Sequence, residues 1–270
     1  MAKDKLLIDK ALDKYLPRKG ELAKAMRYSV FAGGKRFRPS LCLLTARTLG
    51  TPIDKVIPLA CAVELVHTFT LIHDDLPAMD NADFRRGKPS CHKVFGEAVA
   101  ILAGDALSTL AFKIIADQPL ATRELATSLI AVVEGQVKDV KSVGQKMTLA
   151  KLQTVHSWKT AALLRACVRG SASICGATSE QVEALTSYAE HLGLAFQITD
   201  DILDATSTAK KLGKPVRADV KKGFPYFLGL KKSKALAIEE KKKAIKALEP
   251  LGQSAKILKT LAEYVVKRGN

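Results

Sequence analysis

Long apolar runs are missing from this 270-residue chain, whose greasiest windows are broken by Glu64, Glu97 and Asp105. None approaches the roughly 18 apolar residues that a membrane-spanning helix needs, so stable membrane insertion is not expected. The opening MAKDKLLIDK alternates charged and apolar residues without an uninterrupted hydrophobic segment, which argues against a secretory signal. Cysteines are few and odd in number (Cys42, Cys61, Cys91, Cys167 and Cys175), and none stand in a CxxC spacing. That pattern suits neither zinc ligation nor a disulfide framework; it fits small buried thiols in a reducing compartment. Gly/Ser/Pro-rich linkers, repeats of fixed period and low-complexity stretches are absent too. With 47% apolar residues, the chain is expected to form one domain over residues 1–270, in the cytoplasm.

Acids are scarce relative to bases, 27 against 43, giving a net charge of +16. Much of the excess lies after residue 205, in KKSK (Lys231 to Lys234) and KKK (Lys241 to Lys243). Aromatics that could stack on bases do not interleave these runs, so no nucleic-acid partner is expected. Leu236, Ile238, Ile245 and Leu248 are spaced around the lysines as on amphipathic helices with solvated outer faces. An anionic small molecule stays open as a partner, provided that basic residues stand near a reactive centre.

What the chain does have is helical period. Leu59, Val63, Val66 and Thr70 share a face, and similar rows follow in Ala98 to Ile115, Leu125 to Val140 and Leu149 to Val168, then in Val182 to Leu203 and Ile257 to Val266. Gly and Pro clusters punctuate them, as in AGGKRFRP (Ala32 to Pro39) and RRGKP (Arg85 to Pro89). No run of β-branched alternation bounded by turns stands out. The expected fold is all-α, a bundle of about ten helices around a central apolar cavity.

Against this basic background, LIHDDLPAMD (Leu71 to Asp80) gathers three carboxylates at the end of a greasy helix. An isolated DD pair is ordinarily a solvated helix end, but a second cluster, FQITDDILD (Phe196 to Asp204), lies far along the chain. Asp200 and Asp204 are four apart and share a helix face, with Asp201 beside them. Pro77 disfavours regular helix and would let the chain turn Asp80 back toward Asp74. If both clusters face one cavity, five or six carboxylates converge there, a charge density that needs hard cations. Oxygen-only ligation without His or Cys suits Mg²⁺, which takes phosphate oxygens as further ligands. Basic residues stand where a phosphorylated substrate needs them: Arg85 and Arg86 after the first cluster, and Lys35, Arg36 and Arg38 in a glycine-preceded loop.

These segments resemble the trans-isoprenyl diphosphate synthases of the bacterial farnesyl and geranylgeranyl type. The resemblance runs over nearly the whole chain, through AGGKRFRP, AVELVHTFTLIHDDLPAMD, RRGKPSCHKVFGEAVAILAGDAL, the Lys159-Thr160 pair and YAEHLGLAFQITDDILD followed by LGKP. Terpene cyclases share a lone DDxxD but carry an Asn/Ser/Glu-type second motif, where this chain has DDILD. The resemblance implies an isoprenoid synthase-type bundle, commonly homodimeric. It also implies that Asp74, Asp75 and Asp80, with Asp200, Asp201 and Asp204, hold three Mg²⁺ on an allylic diphosphate (dimethylallyl or geranyl). Arg85, Lys159 and Lys214 would touch that diphosphate, and Thr160 and Gln197 would face the developing allylic cation. Isopentenyl diphosphate would be gripped by Lys35, Arg38, His67 and Arg86, although a histidine on a buried helix face is often only a satisfied core residue.

Product length is steric. Phe69 lies five residues before Asp74, about 7.5 Å down the helix, and its side chain leans deeper still. An aromatic there, with Thr70 beside it and two extra residues inside DDLPAMD, goes with farnesyl synthases in the family. Geranylgeranyl or geranyl diphosphate remains the alternative product, and a weakly active regulatory subunit an alternative role, though such subunits typically lose motif aspartates. The chain departs from the family after the second motif, where DVKKGFPYFLGL is about three residues short and has Gly223 and Phe224 in place of Thr-Tyr. Lys221 stands for the usual lysine after Asp219, Arg217 occupies a place that is often small, and Ala82 interrupts an acidic run.

Overall fold

Ile57 to Asp74 carries apolar or small residues on nearly every side, and such a helix is stable only when surrounded. In the computed structural model this segment is α4 (Ile57–Asp74), and Leu59 to Leu65 along it are buried. The structure describes residues 2–142, 148–156, 158, 161–206 and 223–268. Around α4 pack α1 (Ala2–Tyr15), α2 (Glu21–Val30), α3 (Phe37–Thr48), α6 (Glu97–Ile114), α7 (Pro119–Ser142) and α9 (Ala162–Ile174). The long α10 (Ser179–Thr206) packs on α9, on α11 (Phe224–Ala247) and on α12 (Lys256–Lys267), while the short α5 (Cys91–Phe95) and α8 (Leu149–His156) complete the bundle. Pro58 in the first turn starts α4 where a missing N–H costs nothing, and Pro77 follows its end.

The all-α expectation holds, with twelve α-helices among the described residues against the ten or so expected. Part of the excess is the five-residue α5; the apolar row Leu149 to Val168 also contributes to two helices, α8 and α9. A two-stranded antiparallel hairpin, β1 (Phe84–Arg85) and β2 (Lys88–Pro89), is the sheet structure among the described residues. Most buried apolar side chains form one core that runs from Ile8 in α1 to Val265 in α12, and a smaller cluster fills the junction of α8, α10, α11 and α12. Gly193 in α10 allows a close approach: a Cβ there would stand 2.8 Å from the Ala161 Cα. The expected positions Lys159, Thr160 and Lys214, and the divergent Arg217, Asp219 and Lys221, lie outside the described residues.

Candidate active site

Beyond α4 the chain folds back as Pro77 requires. Asp80 N donates to the Asp74 carbonyl at 2.8 Å and Ala82 N to that of Asp75 at 3.1 Å, so the ends of the first acidic motif lie together. Asp75 turns inward. It is 2% exposed, and both its carboxylate oxygens accept from Arg85 Nε, at 3.0 and 3.1 Å. Arg85 reaches it from the hairpin, whose turn residues Arg86 and Gly87 both have positive φ, 54° and 75°, the geometry that closes a two-residue hairpin. Arg86 in turn donates Nη1 to the Gly33 carbonyl at 2.7 Å. Its guanidinium lies so close to Gly34 that a Cβ there would stand 2.7 Å from the guanidinium carbon. The glycine-preceded loop and the double arginine are therefore parts of one structure.

The second motif lies on α10. Asp200 pairs with Arg268 Nη2 at 2.8 Å, and the Arg268 guanidinium sits 3.9 Å from the centre of the Phe196 ring. Burial raises the Asp200 carboxyl to about 6, opposed by Arg268 and reinforced by Asp204 and Asp201. Asp201 accepts from Gln197 Nε2 and from the Phe224 backbone N–H, each at 2.9 Å. That second bond ties the start of α11 to the motif. Gly223 makes the fit possible, since a Cβ there would already be 3.1 Å from Asp201 Oδ2.

Two cavities meet between these motifs. One, of about 390 Å³, is polar and lined by Lys35, Arg38, His67, Arg85, Arg86, Gln197, Asp200 and Arg268. The other, of about 510 Å³, is largely apolar and lies between α4 and α7, with Phe69, Thr70, Met79, Val133 and Val137 in its wall and Asp74 at its edge. Arg38, His67 and Leu71 line both. Arg38 Nη1 lies 3.3 Å from His67 Nε2. Burial, then the charges of Arg38 and Arg86, hold the imidazole well below its usual proton affinity, so Nε2 accepts and Nδ1 carries the proton. Arg38 Nε is buried with no hydrogen-bond partner. Burial also lowers the proton affinities of Arg38 and Arg86. A wall of crowded guanidiniums with a donor to spare calls for a multiply charged anion.

Three expected roles need restating. Arg36, counted with Lys35 and Arg38 as a phosphate ligand, is 2% exposed; it borders the polar cavity beside Glu64, but its guanidinium is committed to Asp9 and Glu64 at 2.7 Å each and to the Val30 carbonyl. Asp75 meets Arg85, so its carboxylate is already engaged, while Arg85 still borders the polar cavity. The carboxylates also do not converge into a cage: among the described residues no group of three His, Cys, Asp or Glu is close enough to hold a metal. Like charges spread apart when each can find a cation, as Asp75 and Asp200 do. The donor set still fits a hard divalent ion, because every candidate ligand is a carboxylate and phosphate oxygens could complete the shell. Arg268 and Phe196 went unforeseen, since an arginine near the end of a basic helix carries no motif.

A sequence profile of polyprenyl synthetases matches residues 19–265. The chain belongs to the polyprenyl synthetase family. It is 46% identical over 244 residues to the farnesyl diphosphate synthase of Geobacillus stearothermophilus, covering 84% of this chain and 82% of that one. The chloroplastic geranylgeranyl pyrophosphate synthase of Capsicum annuum is 43% identical over 281 residues, covering 97% and 76%. The crystal structure of a Caulobacter crescentus polyprenyl synthase complexed with calcium and isoprenyl diphosphate superposes with a TM-score of 0.91 at 27% identity, covering 100% and 96%. This polyprenyl synthetase is thus a short-chain trans-prenyltransferase of the head-to-tail kind.

Proposed function

We propose that the enzyme makes (2E,6E)-farnesyl diphosphate by condensing isopentenyl diphosphate first with dimethylallyl and then with geranyl diphosphate. The observation that carries this reading is the junction of a cationic cavity with an apolar one at Arg38, His67 and Leu71. Isopentenyl diphosphate would place its phosphates on Lys35, Arg38 and Arg86 beside neutral His67, and its double bond toward that junction. The allylic chain would lie in the apolar cavity, with its diphosphate between Asp74 and Asp80 on one side and Asp200, Asp201 and Asp204 on the other. Lys159, Lys214 and Arg85 would contact the same diphosphate once Arg85 leaves Asp75, and Thr160 and Gln197 would face the cation. Mg²⁺ bound there would neutralise the departing diphosphate.

The allylic C–O bond breaks, the isopentenyl double bond attacks the allylic carbon to form the new C–C bond, and a proton leaves to the released diphosphate. Arginines and lysines fixed around the leaving group stabilise charge that develops only as the bond breaks. The apolar lining excludes the water that would quench the cation. Phe69, half-buried in the wall of that cavity, is the proposed floor that stops growth at fifteen carbons. Assembly as a homodimer belongs to the same reading. A C20 product is the second reading, supported by the identity to the pepper enzyme.

The test is purified protein with Mg²⁺, labelled isopentenyl diphosphate and each of the C5, C10 and C15 allylic partners, with products sized by chromatography. C15 from the C5 and C10 partners is expected, and Phe69→Ala should shift the product toward C20. A wild-type enzyme that runs on to C20 would replace the farnesyl reading, and unchanged C15 from the variant would remove Phe69 from its role.

A further inference from the structure

The wall of the apolar cavity contains a second ring, the His73 imidazole just before the first acidic pair. His73 lies four residues after Phe69 on α4, so the two share a helix face. Their ring centres are 5.6 Å apart at an interplanar angle of 74°, an edge-to-face contact, and both line the cavity. On its other side the imidazole rests on α6, where Nε2 lies 3.1 Å from the Ile101 carbonyl and, as the protonated nitrogen, donates to it. That seat exists because residue 104 is glycine. A Cβ there would stand 2.1 Å from Nε2, 2.6 Å from Cδ2 and 2.9 Å from Cε1, closer than atoms can approach. Glycine inside a helix is destabilising, and here its missing side chain makes room for a ring.

We propose that His73 is a positioning residue for product length: seated on Gly104 and the Ile101 carbonyl, it braces the Phe69 ring across the cavity. The proposal rests on the reading of Phe69 as the cavity floor and adds what holds that floor in place. A phenylalanine at a cavity wall can swing about its first side-chain torsion, and a growing apolar chain would push it aside. The imidazole edge blocks one such swing, and α6 supports the imidazole. His73 touches no reacting atom in this arrangement; it acts through Phe69.

The experiment measures the C20:C15 product ratio from geranyl and isopentenyl diphosphates with Mg²⁺ for wild type, Phe69→Ala, His73→Ala, Gly104→Ala and two double variants. Steric discrimination of this kind is worth about tenfold or more. Both F69A and H73A should therefore raise the ratio about tenfold. G104A should raise it too, because it evicts the imidazole from its seat. The double variant H73A/G104A should match H73A, and F69A/H73A should match F69A, since each pair acts on one ring. A floor that responds to F69A while H73A and G104A leave the ratio unchanged overturns the brace and leaves the floor reading intact. An unchanged ratio in F69A overturns both. Should H73A fail to fold, G104A alone carries the same expectation and the same refutation.

Discussion

Arg36 and Arg38 stand two residues apart in one basic loop, and the structure gives them opposite duties, which one substitution can separate. The Arg36 side chain is 1% exposed and pairs with Glu64, itself 3% exposed, and with the partly exposed Asp9. Replacing Arg36 by Met keeps much of the apolar stem but leaves the Glu64 carboxylate buried without its cation. Removing one partner of such a pair costs about 3–5 kcal/mol. At roughly 2–4 °C per kcal/mol for a chain of this size, the melting temperature of Arg36→Met should fall by about 6–20 °C. Adding Glu64→Gln should recover much of that loss, because an amide tolerates the site without a counter-charge. Lys35→Met should instead leave the melting temperature nearly unchanged and raise KM for isopentenyl diphosphate. The assay is thermal denaturation by circular dichroism beside steady-state kinetics on the same preparations. A melting temperature for Arg36→Met within about 2 °C of wild type, or no recovery with Glu64→Gln, would refute the role of Arg36 as the partner of a buried Glu64.

Two further outcomes follow from the electrostatics. His67 is held neutral in the folded state by burial and by Arg38 and Arg86, while in the unfolded chain it binds a proton below about 6.5. Its contribution is therefore fully present above that pH and is lost as pH falls toward its lower folded value, at up to about 1.4 kcal/mol per pH unit. His67→Asn, neutral throughout, should show a shallower loss of stability between pH 7.5 and 5 in urea denaturation; an unchanged slope would contradict a neutral imidazole. Chelation with EDTA should abolish product formation and Mg²⁺ should restore it. Because Asp75 and Asp200 already have arginine partners, Mg²⁺ alone should barely move the melting temperature, and Mg²⁺ with an allylic diphosphate should raise it. A large rise with Mg²⁺ alone would point to a preformed metal cage.

The sequence by itself determined the class of fold, the family and the two acidic motifs, because each is written in local terms. The period of the apolar residues sets the helices, and the Asp spacings with Pro77 set which carboxylates share a face or turn back, as the Asp80 N to Asp74 carbonyl bond bears out. Only the tertiary structure decided which charges meet. Neighbours two apart point to different sides of the chain, so nothing in KRFR says that Arg36 commits its guanidinium to Asp9 and Glu64 while Arg38 reaches both cavities. The partnership of Asp200 with Arg268, the capture of Asp201 by the first N–H of α11, and the seat that Gly104 provides for His73 all join residues 20 or more positions apart. Such pairings depend on how whole helices dock, and docking is fixed by the sum of the packed core, to which no single stretch of sequence holds the answer.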